Sequence, residues 1–205
     1  MGYTLPLERI SLSEYQQLLQ KQNLLPGRRM LLDQLDARFA LLAGLGLTTV
    51  LQLKATLSTP PKLATLSAKS GIPEEYLTIL RRELGSLEQK PVPLSDFPAC
   101  DPAQIRSLAK EGIRTSKEYW ERGAAPDELF SLCDLVRING VGAVAARAFY
   151  EARFGSVADV ANATSADMLA RVTAVNEKEG YYKAKLGEKD MQFCIDYAKL
   201  LALYN

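Results

Sequence analysis

Two glycines one residue apart, Gly140 and Gly142, interrupt an otherwise continuous apolar stretch and dictate a tight reversal of the chain. The run before them ends at Ile138, and a second begins at Val141. In that second run Val141, Val144, Ala145, Ala148 and Ala152 recur at helical spacing, which predicts one apolar stripe. Gly140 can take a positive φ that a β-branched residue would resist. Gly142 removes a side chain where the first N–H groups of the next helix point outward, and Val141 can drop into the groove between the two helices. The expected product is helix, hairpin, helix, with bare amides at a helix N-terminus. Such a site suits an anion, most often a phosphate.

The rest of the chain reads as all-α. Ser11 with Glu14, Thr115 with Glu118, Ser156 with Asp159 and Thr164 with Asp167 are capping-box patterns, each ahead of an apolar helical period. Arg28 to Ala43 predicts one long helix ended by Gly44 and Gly46. Thr59-Pro60-Pro61 and Pro73-Glu74-Glu75 start two more, and Pro126-Asp127-Glu128 opens the helix that leads into the hairpin. Pro91, Pro93 and Pro98 make 88–100 an extended, semi-rigid connector. β-Branched residues lie inside helical periods and never in alternating runs.

A short pattern recurs. Gly46-Leu47-Thr48-Thr49 is echoed by Gly112-Ile113-Arg114-Thr115, and a third copy is read as Phe154-Gly155-Ser156-Val157. Each follows an apolar helix and opens another behind a Thr or Ser cap.

Ile138-Asn139-Gly140-Val141-Gly142, Ala146 and the Phe154-Gly155-Ser156-Val157 turn together resemble a helix-hairpin-helix unit. With Val175-Asn176-Glu177-Lys178 and the segment from Glu188-Lys189 through Asp196-Tyr197-Ala198-Lys199, the likeness narrows to a tandem helix-hairpin-helix family catalogued as a domain of unknown function. It covers residues 97–203, with a weaker echo over 28–84. The resemblance implies tandem repeats in a compact helical bundle array, and hairpins that hold nucleic-acid backbone without reading sequence. It divides the chain into an N-terminal helical extension (1–27), a degenerate repeat (28–87), the Pro-rich linker (88–100) and a helix-hairpin-helix domain (101–205) with its hairpin at 138–146.

Nucleic-acid-binding hairpins of this kind commonly carry Pro and then Lys or Arg after the second glycine. Here Ala143 and Val144 occupy those places, and the cations nearest in sequence are Arg137 and Arg147. The candidate site is therefore Gly140, Val141, Gly142, Ala143 and Val144, with Arg137 and Arg147 supplying field. A secondary candidate is the basic and aromatic stretch holding Tyr181, Tyr182, Lys183 and Lys185, which could pair phosphate contacts with base stacking or simply cover a core edge.

Composition limits the alternatives. The chain has no histidine, so it lacks the commonest general base and metal ligand, and the expectation is a non-enzymatic protein without cofactor or metal. A net charge of +1 advertises no strongly basic nucleic-acid protein. That charge and Val144 leave open a second reading, a protein-interaction or scaffolding module that keeps the fold and has lost the phosphate site. Three scattered cysteines, no signal-like N-terminus and no long apolar run lead to the expectation of a cytoplasmic protein that does not enter membranes.

Overall fold

The structure, a computed structural model, describes all residues except 1, 23, 124–126, 184 and 205. Pro126, expected at the opening of a helix, therefore lies outside the described residues. The chain divides into an N-terminal unit, Leu5–Glu88, and a C-terminal unit, Gln89–Asn205, which also takes in Met1–Thr4. Both are helical. Among the described residues, extended pairing is limited to two isolated bridges, Ser11 with Thr49 and Pro93 with Thr115. No described helix is long and apolar enough to cross a membrane.

The N-terminal unit contains α1 (Leu12–Lys21), α2 (Leu35–Gly44), α3 (Val50–Thr56), α4 (Pro60–Ser70) and α5 (Glu74–Gly85). Ser11 and Thr49 form complete capping boxes with Glu14 and Gln52, satisfying amides that the first turns of α1 and α3 leave unpaired. The long helix expected over 28–43 is not formed as one piece. Pro26–Leu32 is a 3-10 helix, and Gln34 takes the left-handed conformation (φ 50°) before α2 begins. The reason is tertiary. Tyr76 donates its hydroxyl to the Leu31 carbonyl over 3.0 Å, and Arg28 pairs with buried Glu83, so α5 holds the segment at the expense of helix continuity. Leu5, Leu7, Ile10, Tyr15, Leu19 and Leu24 are buried in this same unit and belong to its core.

The C-terminal unit contains α6 (Pro102–Lys110), α7 (Ser116–Glu121), α8 (Glu128–Leu135), α9 (Ala143–Glu151), α10 (Val157–Ala161), α11 (Ser165–Glu179) and α12 (Glu188–Tyr204). The last helix packs along α10 and α11 through Met191, Ile195, Ala198 and Leu201, all buried. Residues 89–100 are a packed part of this unit rather than a free connector. Leu94 and Phe97 are buried, the Leu94 N–H donates to Arg114 C=O over 2.8 Å, and the Ser116 N–H donates to Val92 C=O over 2.8 Å.

The repeated turn is visible in the backbone, with a shifted register in its third copy. Gly46 and Gly112 have φ of +83° and +84°, and the equivalent left-handed residue of the third copy is Arg153, at +68°, rather than Gly155. The bonding fixes the alignment. Gly46, Gly112 and Arg153 each donate to the carbonyl three residues back, and Leu47, Ile113 and Phe154 each donate to the carbonyl five back. The cap follows three residues after the left-handed one, as Thr49, Thr115 and Ser156. The first two copies share a longer element. Ile10-Ser11-Leu12 and Val92-Pro93-Leu94 each pair antiparallel with the turn, Leu12 and Leu94 donating to Thr48 and Arg114 carbonyls, Val50 and Ser116 donating back to Ile10 and Val92.

Candidate nucleic-acid interface

The hairpin between α8 and α9 is built by a small set of constraints. Leu129, Leu132 and Val136 bury the inner face of α8 and its C-terminal turn, and Ala146, Ala148, Phe149 and Ala152 do the same for α9 and its cap. Ile138 is fully buried just before the reversal, and the Val141 N–H donates to its carbonyl over 3.0 Å. Gly140 makes the turn with φ +83°, and a Cβ there would sit 3.6 Å from the Phe193 ring. Val141 is 4% exposed, tucked inward between the glycines.

Gly142 is the N-cap of α9, with φ −88° and ψ 179°, and no side chain caps the helix. The amides of Ala143, Val144 and Ala145 belong to the first turn, which has no intrahelical acceptor for them. Gly142 and Val144 are exposed, and a Cβ on Gly142 would meet nothing within 4 Å. The approach to these amides is therefore open. Of the apolar stripe expected on α9, Val141, Ala148 and Ala152 are buried, while Val144 is 40% exposed and Ala145 half-buried. Ala146 and Phe149, which the expected stripe left out, complete the inward face.

Arg137 and Arg147 do not stand on the surface beside this turn. Arg137 is 5% exposed. Its Nε donates to Tyr3 C=O (2.9 Å), its Nη1 to Asp134 (2.5 Å) and its Nη2 to Gly2 C=O (3.3 Å), while the guanidinium carbon lies 4.3 Å from the Trp120 ring centroid. Arg147 is 3% exposed, with Nε on Pro98 C=O (2.9 Å) and Nη2 on Glu128 (2.8 Å). Each guanidinium spends its donors inside the unit, Arg137 on the N-terminal residues and Arg147 on the segment before α6.

Asp134 is the residue that sequence reasoning passed over. One oxygen accepts from Arg137 and from Trp120 Nε1 (3.1 Å), and the other from the Val157 N–H at the start of α10 (2.7 Å). It joins α7, α8 and α10 beneath the hairpin. The available signal was an acidic residue inside the apolar run from Leu132 to Val136, three positions before an arginine. Around this knot Tyr3 bonds Ser116 (2.6 Å) and meets Trp120 edge-on, and burial pushes the Tyr3 phenol up to about 12.

The basic and aromatic stretch divides. Tyr181 donates to Glu151 over 2.6 Å, and the Tyr182 N–H and carbonyl are both held by the Asn176 side chain. Lys183 and Lys185 are exposed. Both tyrosines are anchored in part by protein, and the lysines stay in solvent.

The fold and this turn define an all-helical protein carrying an exposed hairpin between paired helices. Residues 132–179, from within α8 to the end of α11, match the model of the family described as SAM-like helix-hairpin-helix tandem. Comparison with curated proteins and with solved structures gave no match.

Proposed function

We propose that this protein is a non-enzymatic module that holds nucleic-acid backbone, without reading sequence, at the start of α9. The observation that carries the reading is the uncapped, exposed first turn behind Gly142, with Ala143 and Val144 too short to screen its amides. The match of residues 132–179 to a helix-hairpin-helix tandem supports it. So does the resemblance of 97–203 to a tandem helix-hairpin-helix family of unassigned function. Phosphate oxygens accept readily from such amides, and the helix dipole favours negative charge there.

Arg137 and Arg147 support the hairpin from within and make no phosphate contact in this reading. The attraction then comes from amides and dipole, so affinity is modest and its salt dependence shallow. A single phosphate neutralised by a cation on B-DNA gives a slope near −0.9 in log K against log salt, about a 3.5-fold loss between 50 and 200 mM, and amides alone should give less. Fluorescence anisotropy of labelled duplex and single-stranded DNA and RNA over that range measures it. Absence of affinity for every substrate at low salt removes the reading. The protein-interaction module is then favoured by a specific feature, exposed Val144 where nucleic-acid-binding hairpins carry a cation.

A further inference from the structure

At the far end of α9 from the hairpin lies an open cleft of about 460 Å³, within the size range of small-ligand sites. Its walls include Tyr150 at the end of α9, Arg153 just beyond it, Tyr181 after α11, and Ala99. We propose that this cleft binds one nucleotide, a planar base carried with a ribose and a phosphate, and that Arg153 is its phosphate ligand.

The backbone gives the first argument. Three non-glycine residues among those described have positive φ, and two of them, Ala99 (56°) and Arg153 (68°), line this one cleft. At the two sister turns the position of Arg153 is held by Gly46 and Gly112, which take that conformation without a Cβ penalty. The third turn keeps an arginine there against local preference. Backbone strain of this kind concentrates where a side chain must be presented to a ligand.

Charge and hydrogen bonding give the second. Four charged side chains, Glu151, Arg153, Lys178 and Glu179, line the cleft, and their formal charges cancel. Glu151 accepts from the Tyr181 hydroxyl, and Lys178 pairs with Glu179 over 2.6 Å. The exposed Arg153 guanidinium has no hydrogen-bond or ion-pair partner among the described residues, so its forked donors are free for a phosphate. Burial and the Glu151 contact push the Tyr181 phenol up to about 12, so this wall stays neutral and aromatic. A free arginine beside two tyrosines suits a base and its phosphate. Carboxylates next to it suit a ligand that also has ribose hydroxyls or ring amines to donate, and oppose a purely acidic peptide.

Adenosine 5′-monophosphate is the direct probe, titrated by calorimetry into the full chain and into Arg153→Gly and Arg153→Lys. Glycine is the residue the sister turns use, so Arg153→Gly folds and should melt at a higher temperature than the native chain. The proposal expects adenosine 5′-monophosphate to bind, inorganic phosphate alone to bind more weakly, Arg153→Gly to lose at least tenfold in affinity and Arg153→Lys to retain part of it. A duplex with one unpaired 3′ nucleotide, compared with the blunt duplex, separates the sources. An Arg153-dependent gain from the overhang assigns the ligand to a nucleic-acid end, and no gain with monophosphate binding intact assigns it to a free nucleotide. No monophosphate binding by the native chain, binding of an oligoglutamate in its place, or unchanged affinity in Arg153→Gly overturns the proposal. The hairpin is tested apart from it, because Gly142→Asp should leave monophosphate binding intact.

Discussion

Arg137 donates to Asp134 over 2.5 Å in the interior of the C-terminal unit, one helical turn along the chain and directly before the hairpin. With the arginine side chain 4% and the aspartate side chain 13% exposed, this is a buried ion pair, and removing one partner strands the other. Asp134→Ala also leaves Trp120 Nε1 and the Val157 N–H without their acceptor. The expected loss is about 3–5 kcal/mol, measured by urea denaturation. Arg137→Ala should destabilise on the same scale. Where either variant remains folded at low temperature, nucleic-acid affinity should be close to native, because the guanidinium faces protein.

Gly140 tests the turn itself. At φ +83° an L-residue costs roughly 1–2 kcal/mol, and the Phe193 ring lies at van der Waals distance from an added methyl. Gly140→Ala should lower stability by about that amount, read from the denaturant midpoint at unchanged m-value.

Val144 tests the charge. The side chain is 40% exposed beside the open amides, so Val144→Lys places a cation where a held phosphate would lie. The expected result is tighter binding by severalfold, with the salt slope steeper by up to about 0.9 as the lysine neutralises that phosphate. A lysine in a first turn opposes the helix dipole, so stability should fall by roughly 0.3–1 kcal/mol. Anisotropy across a salt series and a thermal melt measure the two effects separately.

Through its tyrosines, strongly alkaline pH should loosen the C-terminal unit, while neutral and mildly basic pH should have no effect. Burial pushes Tyr3 up to about 12, and burial followed by the bond to Asp127 does the same for Tyr119. An unfolded tyrosine titrates near 10. The folded state therefore favours the neutral phenol, a contribution complete below about pH 10 and lost as pH rises through about 12. Thermal midpoints followed from pH 8 to 12, with tyrosinate absorbance in parallel, should hold to about pH 10 and decline above it. Tyr3→Phe should decline less steeply, after losing about 1 kcal/mol at neutral pH with the Ser116 hydrogen bond.

The helical class and the hairpin were legible because they rest on local rules. Ser11, Thr49, Thr115, Ser156 and Thr164 all cap the helices they precede, and Gly140 takes the positive φ its place demands. What the sequence concealed is tertiary. Residues 28–43 have helical periodicity, yet Tyr76 and Glu83 on α5 claim the Leu31 carbonyl and Arg28, and Pro26–Leu32 forms a 3-10 helix instead. The prolines of 88–100 suggested a connector, yet antiparallel pairing with the turn at Arg114–Ser116 fastens it down. An arginine written beside a glycine hairpin reads as a phosphate ligand. Only the positions of Asp134, Trp120, Glu128 and Pro98 reveal that Arg137 and Arg147 are already engaged. The register of the third turn was hidden for a different reason, since a left-handed arginine has no sequence signature and Gly155 nearby offered a false one.

Whether the amides behind Gly142 hold a phosphate is decided by a matched pair of substitutions at that residue. A Cβ added at Gly142 meets nothing within 4 Å. Aspartate suits an N-cap with this backbone geometry and should raise stability by a few tenths of a kcal/mol, while alanine should lower it by up to about 1 kcal/mol. The measurement is anisotropy of a labelled duplex at low salt with native protein, Gly142→Asp and Gly142→Ala, each confirmed folded. Gly142→Asp, the more stable variant, should lose binding because its carboxylate occupies the anion site, while Gly142→Ala should stay within about threefold of native. Equal binding by Gly142→Asp and native protein would contradict phosphate binding there, and the first turn of α9 would then be a structural end only.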